Sequence, residues 1–135
     1  MGAQVLVVED EADLRSALVE LLSIWGYRVS TARDGREALE RLRAGRGPML
    51  MLLDLQMPVM DGWRFRAAQQ LLSNVRVAAV PVVLMTGSDN AEKNAQALHA
   101  AGFVEKPFQP DLLLGAVLKA LKASRPAALD RRMRS

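Results

Sequence analysis

The chain has 135 residues and a net charge of +3, a length that suits one domain with a substantial core and leaves little room for a second. Half of its residues are apolar, but no apolar run is long enough to cross a bilayer and no leader opens the chain, so we expect a soluble, cytoplasmic protein. The absence of cysteine excludes disulfides, thiolate catalysis and cysteine-based zinc sites, which leaves oxygen and nitrogen ligands for any chemistry.

Short apolar runs, typical of buried strands, alternate along the chain with longer segments whose apolar residues recur at helical spacing. In the N-terminal half, this pattern predicts a strand over 5–8, a helix from Leu14 to Gly26 and a strand over 27–31. A second helix, which begins with the capping-box pair Asp34 and Glu37, and a strand over 49–53 follow. After a loop with Pro58 and Gly62, the C-terminal half predicts helices over 63–73, 91–101 and 110–123, separated by strands over 80–85 and 103–105.

Five strands that alternate with helices are typical of a parallel sheet covered on both faces. Right-handed crossovers between the strands then predict an α/β fold, a doubly wound (βα)5 sandwich with a five-stranded parallel sheet. In open sheets of this class, ligands bind beyond the carboxyl ends of the strands. Residues that follow the predicted strands are therefore the candidates for a functional site.

The net positive charge of the chain comes from its last residues. Residues 125–135 contain four arginines and one aspartate, which together account for the net charge of +3, so residues 1–124 are formally neutral. We predict one domain over 1–123, followed by a basic and flexible tail over 124–135. Because the tail lacks aromatic residues, we expect no direct binding of nucleic acid.

Polar residues that can bind ligands or react follow four of the five predicted strands. They are Glu9 and Asp10 after the first strand, Asp54 after the third, Thr86 after the fourth and Lys106 after the fifth. Converging carboxylates repel one another unless a cation neutralises them, and hard oxygen ligands of this kind suit Mg²⁺. Beside a metal ion and a fixed lysine, the carboxylate of Asp54 is placed to attack phosphorus, and the hydroxyl of Thr86 can hydrogen-bond the bound phosphoryl oxygens.

These residues stand in the order of a known family. Over residues 4–123 the chain resembles the response regulator receiver domain, the CheY-like family of two-component signal transduction, on Glu9–Asp10, Asp54 with Pro58 and Gly62 after it, Thr86, and Lys106–Pro107–Phe108. The resemblance implies a flavodoxin-like strand order, 2-1-3-4-5. It also implies a signalling switch that receives a phosphoryl group from a sensor histidine kinase or a histidine phosphotransfer protein. Such a domain is a regulator, which assists only its own phosphorylation and dephosphorylation and is not otherwise an enzyme.

The same resemblance assigns the chemical roles within the site. Asp54 would be the phosphoacceptor, and Lys106 would pair with the phosphoryl group. Mg²⁺ would be held by the carboxylates of Glu9, Asp10 and Asp54 together with the backbone carbonyl of Gln56.

The resemblance further implies a conformational response. Thr86 and Phe103 would be the switch pair, in which the hydroxyl moves toward the phosphoryl group and the aromatic ring turns inward behind it. Gln56 and Ser88 occupy positions that tune the lifetime of the phosphoryl group. The segment from Thr86 to Lys106 is shorter than is usual for the family, so the fourth helix and its exit loop are expected to be unusual. That helix offers mainly Ala91, Ala95 and Leu98 to the core and should be held loosely.

The last predicted helix is apolar over more than half of its circumference, which exceeds what packing against its own sheet requires. We therefore hypothesise that Leu114 and Leu118 form a docking surface for a downstream protein or for a second copy of the chain.

Two other functions compete with the signalling switch. A phosphohydrolase that forms an aspartyl phosphate would carry a paired Asp-x-Asp motif after the first strand, whereas Gln56 stands two residues after Asp54. A phosphorylation-independent interaction module would normally have lost some of the five polar positions, and this chain keeps all five.

Overall fold

The computed structural model describes residues 4–44, 47–87 and 89–124. Its elements in chain order are β1 (Gln4–Val8), α1 (Ala12–Ile24), β2 (Arg28–Ala32), α2 (Gly35–Ala44), β3 (Leu50–Asp54), α3 (Gly62–Gln70), α4 (Val75–Ala78), β4 (Val82–Thr86), α5 (Ala91–Ala97), β5 (Gly102–Glu105) and α6 (Pro110–Ser124). The predicted lifetime-tuning residue Ser88 and the tail beyond 124 lie outside the described residues. No helix of the described part of the chain is long and apolar enough to cross a membrane.

The five strands form one parallel sheet in the order β2-β1-β3-β4-β5, as predicted. The chain winds outward in one direction from β1 to β2 and then crosses back to β3 on the other side of β1. Val8 stands beside Ala32 and Leu53 in the register, so the carboxyl ends of neighbouring strands lie at one edge of the sheet. The winding direction reverses between β1 and β3, and a crevice opens there at the carboxyl edge.

The core lies on both faces of the sheet, which explains why β1, β3 and β4 are almost uninterrupted apolar runs. Alternate residues point to opposite faces. Leu6 and Met51 pack with α2, α3 and α4 on one face, and Val7 and Leu52 pack with α1 and α6 on the other. Both faces of the central strands are thereby removed from water, which holds the carboxyl edge rigidly.

The helix predicted over 63–73 ends early, at Gln70, and a second helix that was not predicted follows it over Val75–Ala78. The Asn74 side chain caps this four-residue helix, α4, by accepting hydrogen bonds from the N–H groups of Arg76 at 3.0 Å and Val77 at 3.4 Å. An asparagine at this position is a strong helix start, because its side chain satisfies N–H groups that lack partners within the helix. The apolar spacing continues across the break, so spacing alone could not reveal it.

The alanine-rich helix predicted over 91–101 ends at Ala97. Its end is a closing turn in which His99 takes a positive φ of 55° and Ala100 N–H donates to the carbonyl of Ala95 at 2.8 Å. His99 is exposed and lies beyond the helix, which corrects its prediction as a helical residue. The expected burial of Ala91, Ala95 and Leu98 is confirmed.

Candidate functional site

The carboxyl ends of the strands bring the predicted site residues to one cleft. The cleft has a volume of about 440 Å³, and its lining includes Glu9, Asp10, Asp54, Gln56, Thr86 and Lys106. Glu9, Asp54 and Thr86 are buried at its base, whereas Asp10 and Gln56 are exposed. The polar positions predicted from the strand ends therefore converge.

Three carboxylates form the acidic side of the cleft. Glu9, Asp10 and Asp54 each offer one oxygen, and these oxygens lie within 4.8 Å of one another. Glu9 is held in place because its N–H donates to Ala32 at 3.0 Å and so extends the pairing of β1 with β2. Asp54 is the last residue of β3, and its position is set by the central strand.

Lys106 is the cation that faces this cluster. Its Nζ lies 2.8 Å from Oε1 of Glu9 and 3.4 Å from Oδ2 of Asp54. The backbone N–H of Lys106 donates to the carbonyl of Thr86 at 2.7 Å, which joins the end of β5 to the end of β4. The lysine is thus placed by the sheet, and its ammonium group is shared by two buried carboxylates.

The second oxygen of each buried carboxylate is bound by a nearby backbone N–H. Oε2 of Glu9 accepts from the N–H of Glu11 at 3.1 Å, and Oδ1 of Asp54 accepts from the N–H of Gln56 at 3.3 Å. Each carboxylate is therefore held through both oxygens, by Lys106 on one side and by the loop that follows its strand on the other. The orientation of the two groups is fixed by the chain itself.

Burial dominates the protonation of the site. It raises the pKa of Glu9 to about 7, although the hydrogen bonds from Lys106 and Glu11 act in the opposite direction. Burial also raises the pKa of Asp54, against the lowering effect of the Lys106 charge. For Lys106, burial alone would lower the pKa, but the hydrogen bond to Glu9 and the charges of Asp54 and Glu9 outweigh it and raise the pKa. Desolvation of the two carboxylates thus outweighs the effect of the single lysine on their pKa values.

The chemistry of the donor set fits Mg²⁺. The three carboxylates supply hard oxygen ligands within 4.8 Å of one another, and burial raises the pKa of Glu9 and of Asp54 because water solvates their charged forms poorly here. A divalent cation would supply positive charge beside them. The predicted ligand role of the Gln56 carbonyl stays a prediction.

The loop after β3 is packed closely against the strand end. Gly62 N–H donates to the carbonyl of Leu55 at 2.9 Å, and a Cβ at Gly62 would lie 2.6 Å from the carbonyl oxygen of Asp54. Only glycine permits this approach. The Asp61 side chain caps α3 by accepting from the N–H of Arg64 at 2.9 Å.

Arg15 is a site neighbour that the sequence did not reveal. Its Nη1 donates to the carbonyl of Glu9 at 2.9 Å and to that of Asp10 at 3.3 Å, which holds the turn that carries both carboxylates. An arginine in the first turn of a helix has no distinctive pattern, because such residues are usually solvated. The contact depends on the direction in which α1 leaves β1.

The predicted switch residues lie on adjacent strands. Thr86 is buried at the end of β4, and Phe103 is half-buried on β5 beside Leu84. The Phe103 ring packs against the small apolar cluster that includes Ala95 and Leu98 of the α5 region. Of the two residues, Phe103 contacts the α5 region, and the switching role of the pair stays a prediction.

The predicted docking residues lie on α6. Leu113, Val117 and Ala120 form its fully buried side, whereas Leu118 is 51% exposed and Leu114 is half-buried. The structure therefore confirms an apolar residue on the outer side of this helix and leaves its use as a docking surface as a prediction.

A five-stranded, doubly wound sheet with an acidic cleft at its carboxyl edge is the architecture of flavodoxin-like α/β proteins that bind a ligand where the winding direction reverses. The chain belongs to the response regulator receiver domain family, whose model matches residues 5–118. Receiver domains of two-component systems generally bind Mg²⁺ at an acidic cluster, and Glu9, Asp10 and Asp54 form such a cluster here.

Individual relatives agree with this assignment. The chain is 38% identical over 121 residues to protein Rrf1 from Nitratidesulfovibrio vulgaris, a match that covers 90% of this chain and 84% of that protein. It is 35% identical to the C4-dicarboxylate transport transcriptional regulatory protein DctD from Pseudomonas aeruginosa, over 97% of this chain but 28% of DctD. The chemotaxis response regulator CheY4 of Vibrio cholerae superimposes with a TM-score of 0.79 at 33% identity, covering 89% of this chain and 99% of that structure.

Proposed function

We propose that this domain is a phosphorylation-activated switch that accepts a phosphoryl group on Asp54 from a sensor histidine kinase or a histidine phosphotransfer protein. The observation that carries the proposal is the placement of a buried carboxylate, Asp54, with Lys106 Nζ 3.4 Å from Oδ2, inside an acidic cleft open to solvent. The chain assists its own phosphorylation and dephosphorylation and acts as a regulator, without an outside substrate.

In the transfer, a carboxylate oxygen of Asp54 forms a bond to phosphorus as the bond from phosphorus to the donor imidazole nitrogen breaks, and the electron pair stays on that nitrogen. Lys106 neutralises charge on the phosphoryl oxygens, because its ammonium group already faces the nucleophile. Gln56 N–H holds Oδ1 of Asp54 and orients the carboxylate for attack. The Gln56 N–H keeps its proton throughout the transfer and acts only as a hydrogen-bond donor.

Glu9, Asp10 and Asp54, with the backbone carbonyl of Gln56, are the residues that would hold Mg²⁺. When bound, the ion supplies positive charge that compensates both the carboxylates and the phosphoryl oxygens. Arg15 keeps the Glu9–Asp10 turn in place through their backbone carbonyls, and so acts as a positioning residue for two of the ligands.

Thr86 and Phe103 are proposed to transmit the change. The Thr86 hydroxyl would hydrogen-bond the phosphoryl group, and the Phe103 ring would move inward and alter the surface formed by α5, β5 and α6. Phe103 packs against the α5 region, which gives the ring a direct route to that helix. Gln56, exposed at the cleft, is proposed together with Ser88 to set how long the phosphoryl group survives.

Intact mass measured after incubation with Mg²⁺ and acetyl phosphate tests the proposal. Wild type is expected to gain a single phosphoryl adduct that requires Mg²⁺, and Asp54→Asn is expected to gain none, because the amide is not a nucleophile toward phosphorus. Lack of an adduct with every donor would favour the phosphorylation-independent interaction module. Mg²⁺-dependent turnover of small phosphate esters would favour the phosphohydrolase.

The apolar outer side of α6 is proposed to bind a downstream protein or a second copy through Leu114 and Leu118. Replacing both with alanine is expected to weaken association of the phosphorylated protein by about tenfold, because each replacement removes apolar area that the contact would bury. Sedimentation of wild type and variant measures self-association, with the exposed Lys122→Ala on the same helix as control. Unchanged association with itself and with every candidate partner would reject the surface.

A further inference from the structure

Two polar side chains of α3 are buried away from the acidic cleft. Arg66 is 6% exposed and Gln69 is 0% exposed. Helix α3 buries Gly62, Phe65, Arg66 and Gln69, which share one face at helical spacing. The inner face of this helix therefore begins with a glycine and a phenylalanine and ends with a guanidinium and an amide.

The Arg66 guanidinium binds the end of the α5 region. Its Nε donates to the carbonyl of Leu98 and its Nη2 to that of His99, both at 3.0 Å. Its Nη1 donates to the carbonyl of Val80 at 3.2 Å and to Oε1 of Gln69 at 2.7 Å. Within the described ranges no carboxylate pairs with this cation, so backbone carbonyls and one amide oxygen supply its whole set of acceptors.

Gln69 extends the same network to the segment before β4. Its Nε2 donates to the carbonyl of Val77 at 3.0 Å and to that of Val80 at 3.1 Å. Val77 belongs to α4, and Val80 precedes β4 and also accepts from Arg66. The two side chains thus join α3, the end of α4 and the end of α5 at one buried point.

The contacts at Leu98 and His99 suit a buried cation. Carbonyls at the end of a helix and just beyond it lack partners within the helix, and the helix end carries partial negative charge, so a guanidinium there satisfies these carbonyls and is itself compensated. Burial lowers the pKa of Arg66, but arginine ordinarily titrates so far above neutral pH that the group stays charged. Helix α5 has seven residues and buries only Ala91 and Ala95. Its own apolar contact is therefore small, and Leu98, buried just after it, and the hydrogen bonds from Arg66 together hold its C-terminal end.

We propose that Arg66 and Gln69 anchor the C-terminal end of α5, so that signalling displaces the N-terminal end of this helix, which follows β4 in the chain, while the anchored end stays in place. The inference rests on the proposed function, in which the surface of α5, β5 and α6 changes. Arg66 and Gln69 are positioning residues, since their contacts lie with α4, α5 and the segment before β4 and not with the acidic cleft.

Amide hydrogen exchange of the full chain, without phosphodonor, tests the anchor itself. Arg66→Met is expected to speed exchange of the amides of residues 98–101 roughly tenfold relative to those of α1, since loss of the buried hydrogen bonds frees this segment locally. The matched control is Arg64→Met, which removes an exposed arginine from the same helix. Equal rates over 98–101 in the two variants would overturn the anchor, as would a uniform rise across α1 and α5 in Arg66→Met.

A second variant covers the case in which Arg66→Met does not fold. Arg66→Lys keeps the charge, but a single ammonium group cannot reproduce the planar guanidinium fork that reaches three carbonyls. The same local rise in exchange over 98–101 is expected, with a smaller size. Wild-type rates in Arg66→Lys would show that the hydrogen bonds do not hold the helix end.

The confinement of movement is tested with Mg²⁺ and beryllium trifluoride, an analogue of the phosphoryl group. In wild type, changes in amide chemical shift are expected to be larger over 91–94 than over 98–101, where only the moving Phe103 ring acts, whereas in Arg66→Met the two ranges should change alike. Equal changes over both ranges in wild type would overturn the proposal. If the analogue fails to bind wild type, the proposed function is what fails, and the exchange experiment without phosphodonor still decides the anchor.

Discussion

Replacing Gly62 with alanine is expected to lower the free energy of unfolding by about 3 kcal/mol, a large share of the stability of a small domain. A Cβ at this position would lie 2.6 Å from the carbonyl oxygen of Asp54 and 2.8 Å from Cα of Leu55. Both are backbone atoms, so no side-chain rotation can relieve the overlap. Either α3 or the strand end that carries the phosphoacceptor must shift. Urea denaturation followed by circular dichroism measures the loss.

The chain offers a matched control on another helix. Gly115 lies in α6, where an added Cβ would meet no atom of the described residues within 4 Å apart from the backbone of its own helix and its chain neighbours. Gly115→Ala is therefore expected to raise the free energy of unfolding by about 0.5–1 kcal/mol through helix propensity alone. The same chemical change should have opposite signs at the two positions. An unfolding midpoint for Gly62→Ala equal to or above wild type would show that the loop is not packed as closely as the distances indicate.

Stability in metal-free buffer is expected to fall as the pH rises from about 4.5 to 7, by up to about 3 kcal/mol. Glu9 has a pKa of about 7 in the folded chain and an ordinary value of 4.5, so between these values the folded protein binds a proton that the unfolded chain has released. A state that binds more protons loses stability as protons become scarce. The raised pKa of Asp54 acts in the same direction. Thermal unfolding in chelator across this pH range measures the trend.

Mg²⁺ should reverse this loss, because the ion binds the deprotonated carboxylates. Its stabilising effect is expected to grow over the same pH window, and calorimetry in buffers of different ionisation enthalpy should detect release of about one proton per ion bound near pH 6 and less near pH 8. Glu9→Gln, which cannot titrate, should flatten the pH dependence and weaken Mg²⁺ binding. A melting temperature that stays constant from pH 5 to 7 in metal-free wild type would contradict the raised pKa of Glu9.

The fold could be predicted largely from local pattern. Fully buried strands such as β1 and β3 are unmistakable, because both of their faces must be apolar. Element ends were harder to predict. The break between α3 and α4 depends on Asn74 capping a second helix, and the early end of α5 depends on His99 taking a left-handed conformation. Apolar spacing carries no information on either event.

Some of the buried polar residues could be predicted from the sequence and others could not. Glu9, Asp54 and Lys106 could be predicted to converge because parallel strands end at one edge. The burial of Arg66 and Gln69 was not predicted, because polar residues on a helix are usually solvated. Their spacing from Gly62 and Phe65 was nevertheless a usable signal, since residues three and four apart share a helical face.

By itself the sequence determined the α/β class, the strand order through the family resemblance, and the identity of the polar residues at the carboxyl edge, because those properties follow from local periodicity and from which residue types end each strand. Only the tertiary structure decided which charges are buried and with whom they pair. The sharing of Lys106 between Glu9 and Asp54, and the binding of Arg66 to the carbonyls of Leu98 and His99, join residues 97, 52, 32 and 33 positions apart in the chain. Such contacts depend on how helices and strands pack against one another, and desolvation, which sets the pKa of Glu9, exists only once that packing is complete.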